Sequence, residues 1–321
     1  METKPTISIV MSVYNGSEFL HAAIDSILNQ SYQNFEFIII NDASTESTED
    51  IVKSYTDSRI VYVRNSTNLG LTANLNKGLA LARGEFVARQ DDDDVSSPDR
   101  LEKQLQFLVT HPDIMIVGSI VNLIDREGKV FSTWRMPTED KEIKELLNKG
   151  SAFCHGAVLF RKVAVDTVGG YREKAKYVED YDLWLRLAER YQMANIEQPL
   201  YSLRRSISSI STKNLDKQIG NHLLVRALSK ERRETGRDSL DGLVLGKVQS
   251  VLVQKYKVSI GDINIFKAQY IKQYYVQAIQ TGSKRDAIKF GWLILKAKPS
   301  RKFAQSMFKQ LLWMNRIKKV Q

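Results

Sequence analysis

Glu85-Phe86-Val87-Ala88-Arg89-Gln90-Asp91-Asp92-Asp93-Asp94 joins an apolar run to four consecutive carboxylates. Gly84 punctuates its start, and Glu85 to Arg89 has the composition of a strand leaving a loop. Four like charges at a strand end repel unless they are solvated, hydrogen-bonded or shared by a cation. In an open α/β sheet the C-terminal strand ends are where ligands bind. Carboxylates two apart at such an end can hold a hard divalent ion, which can hold the phosphates of a nucleotide. The plainer reading is a solvated acidic turn capping a helix that starts near Ser97-Pro98.

Upstream, Thr6 to Val13, Phe35 to Ile40 and Arg59 to Arg64 are apolar, β-branched runs suited to buried parallel strands. Helical spacing separates them at Glu18–Asn29, Thr48–Tyr55 and Leu71–Ala82. Strand and helix alternating at this interval predict parallel βαβ units with right-handed crossovers. Tyr14-Asn15, Asp42, Asn68-Leu69-Gly70 and the four aspartates would then face one crevice. No Gly-x-Gly-x-x-Gly and no Gly-x-x-x-x-Gly-Lys-Ser/Thr occurs. A helper cation is the remaining way to hold phosphate beside carboxylates.

Downstream, helices are predicted near 97–110, 141–148 and 162–168, strands at 114–123 and 157–161, and a hairpin turn at 125–128. Glu179-Asp180-Tyr181-Asp182-Leu183-Trp184 opens an amphipathic helix whose dipole favours ionised carboxylates at its start. Simple charge complementarity at a helix N-terminus is the alternative for Glu179 and Asp180. His155, a lone histidine, is read first as structural, and Cys154 as a small core side chain.

The 321 residues suit one large or two ordinary domains. One cysteine excludes an internal disulfide. No apolar run approaches the roughly 18–20 residues of a membrane helix, and Met1 to Pro5 lacks a signal-peptide pattern. These features predict a cytoplasmic protein. Residues 1–212 hold 24 Lys and Arg against 30 Asp and Glu, whereas 213–321 hold 23 against 7. Two domains are expected, at 1–212 and 213–321.

The blocks Ser12-Val13-Tyr14-Asn15, Asn41-Asp42-Ala43-Ser44, Asn68-Leu69-Gly70 with Leu75-Asn76-Lys77-Gly78, Ala88 to Asp94, Gly169-Gly170-Tyr171 and Glu179 to Trp184 together resemble the family 2 glycosyltransferases. The resemblance covers about residues 5–212. It implies a GT-A fold, meaning a Rossmann-like mixed sheet flanked by helices. It also implies inverting, metal-dependent transfer from a nucleotide-diphosphate sugar, with a UDP-sugar as the expected donor and manganese or magnesium as the cofactor. Many relatives build bacterial surface polysaccharides. By the same resemblance Asp42 reads the nucleobase, and Tyr14, Asn15 and Asn68 shape its pocket. Asp91 and Asp93 contact ribose and metal. Asp92 belongs to the donor site but stands where the family has a small residue. Asp180 is the base with Glu179 beside it, and His155, Gly170 and Tyr171 line the acceptor side.

Those residue types suit the chemistry. In-line displacement at the anomeric carbon needs one carboxylate to take the acceptor proton and a cation to neutralise the leaving diphosphate. Ser206 stands where a His is common, so diphosphate contacts fall to Arg204 or Arg205 and Ser209. A surface basic turn is the alternative for those arginines. Leu75 stands where many relatives carry an Arg. The rival readings are a sugar-nucleotide nucleotidyltransferase and a non-catalytic, membrane-docking nucleotide-sugar binder. The first usually has a basic Gly-rich loop after its first strand, and Tyr14 to Glu18 contains no basic residue.

The tail reads as five helices, near 215–233, 240–256, 262–281, 284–296 and 300–319. The last has an apolar stripe of Phe303, Met307, Phe308, Leu311 and Leu312, edged by Trp313 and flanked by Lys302, Lys309, Arg316, Lys318 and Lys319. A basic amphipathic helix suits an anionic membrane surface, here the inner face of the cell membrane. Packing on the catalytic domain or a homodimer are the alternatives. Nucleic acid is not an expected partner, because no binding module is present. The acceptor implied is a glycan or lipid-linked glycan.

Overall fold

The computed structural model describes residues 4–205, 215–243, 248–280 and 283–317. The chain divides into two compact units, Met1–Arg205 and Ser206–Gln321. The boundary expected at 212 falls within 206–214, outside the described residues.

In the first unit, β1 (Ile7–Val13), β2 (Phe35–Asn41), β3 (Ile60–Arg64) and β4 (Phe86–Arg89) pair in parallel in the order β3-β2-β1-β4. The helices between them are α1 (Ser17–Leu28), α2 (Thr48–Lys53) and α3 (Leu71–Leu81). Ile7, Ile9, Met11, Phe37 and Ile39 point to one face, where Leu20, Ala23, Ile24 and Ile27 of α1 bury them. α4 (Arg100–Thr110) adds Leu101 and Leu108 to that core. Alternate strand residues such as Val10, Ile38 and Ile40 are buried on the other face, so the runs read as continuously apolar.

Past β4 the sheet becomes mixed. β5 (Val95–Ser96), β6 (Ile114–Ile124), β7 (Val130–Trp134), β8 (Leu159–Arg161) and β9 (Gln192–Arg204) complete it. β8 runs antiparallel between β4 and β6, and β6 runs parallel to β9. The anticipated hairpin joins β6 to β7 through Asp125–Gly128. α5 (Asp140–Leu147), α6 (Lys162–Thr167) and α7 (Glu179–Ala188) flank this half. Ala157, read as the start of a strand, belongs to a single 3-10 turn, His155–Ala157. The longest strand, β9, has no counterpart in the sequence reading. Pro199 lies within it, and its pairing with β6 shifts register at Ser119/Ile120 and Ile120/Val121, which blurs the alternation a strand is read from.

The second unit is helical where described: α8 (Leu215–Thr235), α9 (Val248–Gln254), α10 (Ile260–Gln280), α11 (Lys284–Ala297) and α12 (Arg301–Ile317). One core joins Ile219, Ile271, Tyr275, Phe290 and Met307. A second joins Leu224, Leu228, Leu240 and Leu252. The helix expected over 240–256 is instead a 3-10 turn at Leu240–Gly242 and then α9.

Candidate active site

The four parallel strands end on one rim. Asp42 N donates to Val13 O at 2.8 Å, Asn65 N to Asn41 O at 2.9 Å and Gln90 N to Val10 O at 3.2 Å. The loops carrying Tyr14-Asn15, Asp42, Asn65 to Gly70 and Asp91 to Asp94 therefore leave the sheet side by side.

The acidic turn is built on buried cations. Arg89, 2% exposed, donates from Nη2 to Asp91 Oδ1 at 2.5 Å and from Nη1 to Val10 O at 3.3 Å. Arg100, fully buried, donates to Arg89 O (2.7 Å), Ser96 Oγ (2.7 Å) and Gln90 Oε1 (3.2 Å). Gln90 Nε2 in turn donates to Asp91 O and Asp94 O, both at 3.0 Å. The turn is thus held from below, against the plainer reading of a freely solvated acidic run. Burial, with the charges of Asp93 and Asp91, raises the Asp92 carboxyl to about 8. Burial and Asp91 raise Asp93 to about 6, and Asp94 is pushed well up by the same causes. Asp92 leans on the loop after β1, where a Cβ on Gly16 would meet its Oδ2 at 2.1 Å. A side chain at position 16 would displace the Asp92 carboxylate.

Asp42 is more committed than a free base-reading carboxylate. Its Oδ1 accepts from Asn65 Nδ2 and Leu69 N, both at 2.8 Å, and its Oδ2 from Gly70 N at 2.9 Å. Burial opposes ionisation, but the donors from Leu69, Asn65, Asn74 and Gly70 outweigh it and hold the carboxyl below its usual range. Asp42 thereby fixes the loop ahead of α3. Tyr14 stands out at the rim, 50% exposed, and Asn68 is exposed as well. Asn15, at φ +53°, takes Thr45 N on its Oδ1 at 2.9 Å while its own N donates to Ser44 Oγ at 3.0 Å.

Glu179 and Asp180 open α7. The sequence predicted that the helix dipole would favour their ionised forms; burial wins instead. Burial, then Asp180, raises Glu179 to about 7. Burial raises Asp180 to about 6, with backbone N–H groups of Tyr181 and Asp180 opposing and the charge of Asp91 adding to it. The charge of Asp91 therefore reaches Asp180. His155 Nε2 lies 2.9 Å from Tyr171 Oη, and its ring meets Trp184 edge-on. Burial and Arg89 push the imidazole well below its usual range, keeping it neutral. The Gly169-Gly170-Tyr171 turn is held from two sides. Arg186 donates to Val168 O and Gly170 O at 2.6 and 2.7 Å, and is itself paired with the buried Asp182. Asn76 of α3 grips the Tyr171 backbone, donating to its O at 2.8 Å and accepting from its N at 2.9 Å. Gly170 sits at φ +67°, and a Cβ there would meet Asn76 Oδ1 at 2.9 Å.

Arg204 lies beneath the acidic turn. It is 9% exposed and donates to Asp93 O, Asp125 O and Arg126 O, each at 2.8 Å, with its guanidinium 4.2 Å over the Phe19 ring. Its Nε and Nη1 are held by these carbonyls, so it braces the acidic turn. Ser209 and Ser206 lie outside the described residues.

Among the described residues no three His, Cys, Asp or Glu side chains form a ready-made metal cage. Magnesium-type sites, however, commonly use one or two carboxylates and complete the shell with substrate phosphates and water. Asp91 and Asp93, two residues apart in one turn, fit that pattern, and the charge of Asp91 raises the cost of ionising Asp93.

The sequence pattern described as "Glycosyl transferase family 2" matches residues 8–169. EpsE of Bacillus subtilis, named as a glycosyltransferase, is 38% identical over 231 residues, 70% of this chain and 82% of its own. The chain belongs to glycosyl transferase family 2. Other members include AmsE of Erwinia amylovora, named for amylovoran biosynthesis, at 29% identity over 71% of this chain and 87% of its own. WbnJ of Escherichia coli, named for O-antigen biosynthesis, is 35% identical over 56% and 71%. In fold, the chain matches the Pyrobaculum calidifontis mannosyltransferase PcManGT, solved with GDP-Man and Mn2+, with a TM-score of 0.56 at 16% identity over 99% of this chain and 88% of that one. It matches S. aureus TarS residues 1–349, solved with UDP, with a TM-score of 0.57 at 16% identity over 98% and 92%. A TarS complex with UDP-GlcNAc gives 0.55 at 16% identity, over 88% of each chain. These likenesses show the GT-A fold that the sequence blocks implied.

In this family 2 glycosyltransferase, the residues sequence reasoning passed over are Arg89, Arg100, Asn76 and Asp182. Arg89 had a signal. A cation inside an apolar strand must be paired, and four aspartates follow it.

Proposed function

We propose that this glycosyltransferase moves a sugar from a UDP-sugar to a hydroxyl of a glycan or lipid-linked glycan, with inversion, in surface-polysaccharide assembly. UDP and UDP-GlcNAc in the TarS structures support the donor. The pathways named for AmsE and WbnJ support the acceptor class. A lipid-linked acceptor would put the work at the inner face of the cell membrane; among the described residues no helix is long and apolar enough to cross one.

One observation carries the mechanism: Asp180, raised to about 6, shares its surroundings with Asp91. A base with that affinity is ionised at neutral pH yet strong enough to accept a proton. Asp180 takes the proton of the acceptor hydroxyl as its oxygen attacks the anomeric carbon. The bond from that carbon to the diphosphate oxygen breaks on the opposite face. Glu179, next to Asp180, is raised further, to about 7, so Asp180 is the first of the two to ionise and serves as the base. Neutral His155 and Tyr171 line the acceptor side with Gly170. Tyr14, Asn15 and Asn68 close over the uridine, on a loop that Asp42 holds in place. Asp91 and Asp93, with Asp92 behind them, would hold manganese or magnesium, whose charge offsets that of the leaving diphosphate.

The test is UDP release from a panel of UDP-sugars, by wild type and Asp180→Asn. Loss of turnover with UDP affinity kept is expected. Wild-type turnover in Asp180→Asn would remove the base assignment.

A further inference from the structure

The helical unit carries a surface that the transfer reaction does not use. α11 buries Ala287, Phe290, Gly291 and Ile294 in the helical core. Its opposite face presents Arg285, Lys289, Trp292 and Lys296, spaced three and four residues apart, as one stripe. All four are exposed, Trp292 to 63%. A shallow groove of about 600 Å³ runs beside them, lined by Lys289, Trp292, Leu293, Leu295 and Lys296. Among the described residues no acidic side chain pairs with Arg285, Lys289 or Lys296; Lys289 instead lies over the Phe290 ring. From Lys284 onward the sequence holds 11 Lys and Arg and a single acid, Asp286, and Asp286 is taken up by Ser283 Oγ. α12 repeats the theme, with Phe308 64% exposed beside exposed Lys309.

A large aromatic among unpaired cations on a helix face has a specific physical use. Lysine and arginine stems lie along apolar surface while their charged ends reach polar groups. An indole is most stable where one side is apolar and the other wet. The interface of an anionic bilayer offers both at the same depth. A second copy of this chain offers neither, because the stripe would set three cations against three cations.

We propose that the Arg285, Lys289, Trp292 and Lys296 stripe docks this chain on an anionic lipid bilayer. The proposal stands independently of the donor and base assignments, since none of these residues belongs to the transfer site.

The test is co-sedimentation of the full chain with phosphatidylcholine vesicles, with and without phosphatidylglycerol. Binding is expected only with phosphatidylglycerol, and it should weaken as salt rises. Each cation should contribute about fivefold. The triple variant Arg285→Glu, Lys289→Glu, Lys296→Glu should therefore bind at least about 100-fold more weakly. Trp292→Ala should bind about tenfold more weakly, as an apolar contact is lost. These positions are exposed, so melting temperatures should stay near wild type. Should Trp292→Ala fail to fold, the charge variants decide alone. Equal binding to both vesicle types, or unchanged binding by the triple variant, would overturn the proposal. So would a dimer in solution that the triple variant dissociates while wild type ignores vesicles.

Discussion

Arg89 and Arg285 are the same residue type put to opposite uses. Arg89 is buried under the acidic turn, bonded to Asp91 and to the carbonyls of Val10 and Gln90. Arg285 is exposed on α11. The contrast extends to the two units. The α/β unit has net charge −6 and buries Asp42, Arg89, Asp94, Arg100, Glu179 and Asp182. The helical unit has net charge +16, and among its described residues the buried polar ones are Asn221, His222, Ser229 and Gln277. Its Arg232–Asp238 pair comes nearest to a buried charge pair. Burying a charge is costly unless it is paired. A cluster of such groups around a crevice is therefore where chemistry is expected, whereas unpaired surface cations suit recognition of another charged body.

The sharpest way to break this contrast is to remove a buried charge. Asp180→Asn should cut turnover by about 10²–10⁴-fold. It should also stabilise the fold. The folded carboxyl titrates near 6, above its ordinary 3.8, so between those values the native state holds a proton that the unfolded chain releases. Stability falls as pH rises through that window and stays lowered above it. The variant should gain about 1–3 kcal/mol at pH 8 and nothing at pH 3, measured by urea unfolding.

Arg89→Leu removes the partner of Asp91 and should cost about 3–5 kcal/mol, read from the same unfolding curves. A loss under 1 kcal/mol would mean that the aspartates do not depend on Arg89. Asn76→Ala breaks both hydrogen bonds to Tyr171 and should cost about 1–3 kcal/mol. If Asn76 positions the acceptor loop, the variant should raise the acceptor KM while leaving UDP affinity unchanged. Equal effects on both would reduce Asn76 to a packing role. At the other end, Lys289→Gln should change stability by no more than about 0.5 kcal/mol.

The pH profile sharpens the contrast further. As pH falls through about 6, protonation of Asp180 should lower kcat/KM. Vesicle binding by the helical unit should persist there, because its lysines remain charged.

The parallel half of the sheet was readable because each strand is apolar on both faces and ends in a polar loop. That periodicity set the loops carrying Tyr14-Asn15, Asp42, Asn68 and the four aspartates along one rim, and the strand ends lie side by side there. What stayed hidden shares one cause. Arg100, Asp182 and Arg204 each look like ordinary charged residues in sequence, and only the folded chain shows whether a charge faces water or a carbonyl. The three carbonyl partners of Arg204 come from loops about 80 and 110 residues away in sequence. Asp42 likewise reads as a base-recognition residue, while its bonds to Leu69 and Gly70 depend on a turn whose closure no local pattern announces.

The central claim is that the acidic turn and the rim loops form one nucleotide-diphosphate site completed by a divalent ion. The most direct measurement is calorimetric titration of UDP, with and without manganese, into wild type and Asp93→Ala. Binding that requires manganese in wild type and vanishes in Asp93→Ala is the predicted result. UDP binding that ignores manganese, or that Asp93→Ala leaves intact, would contradict it.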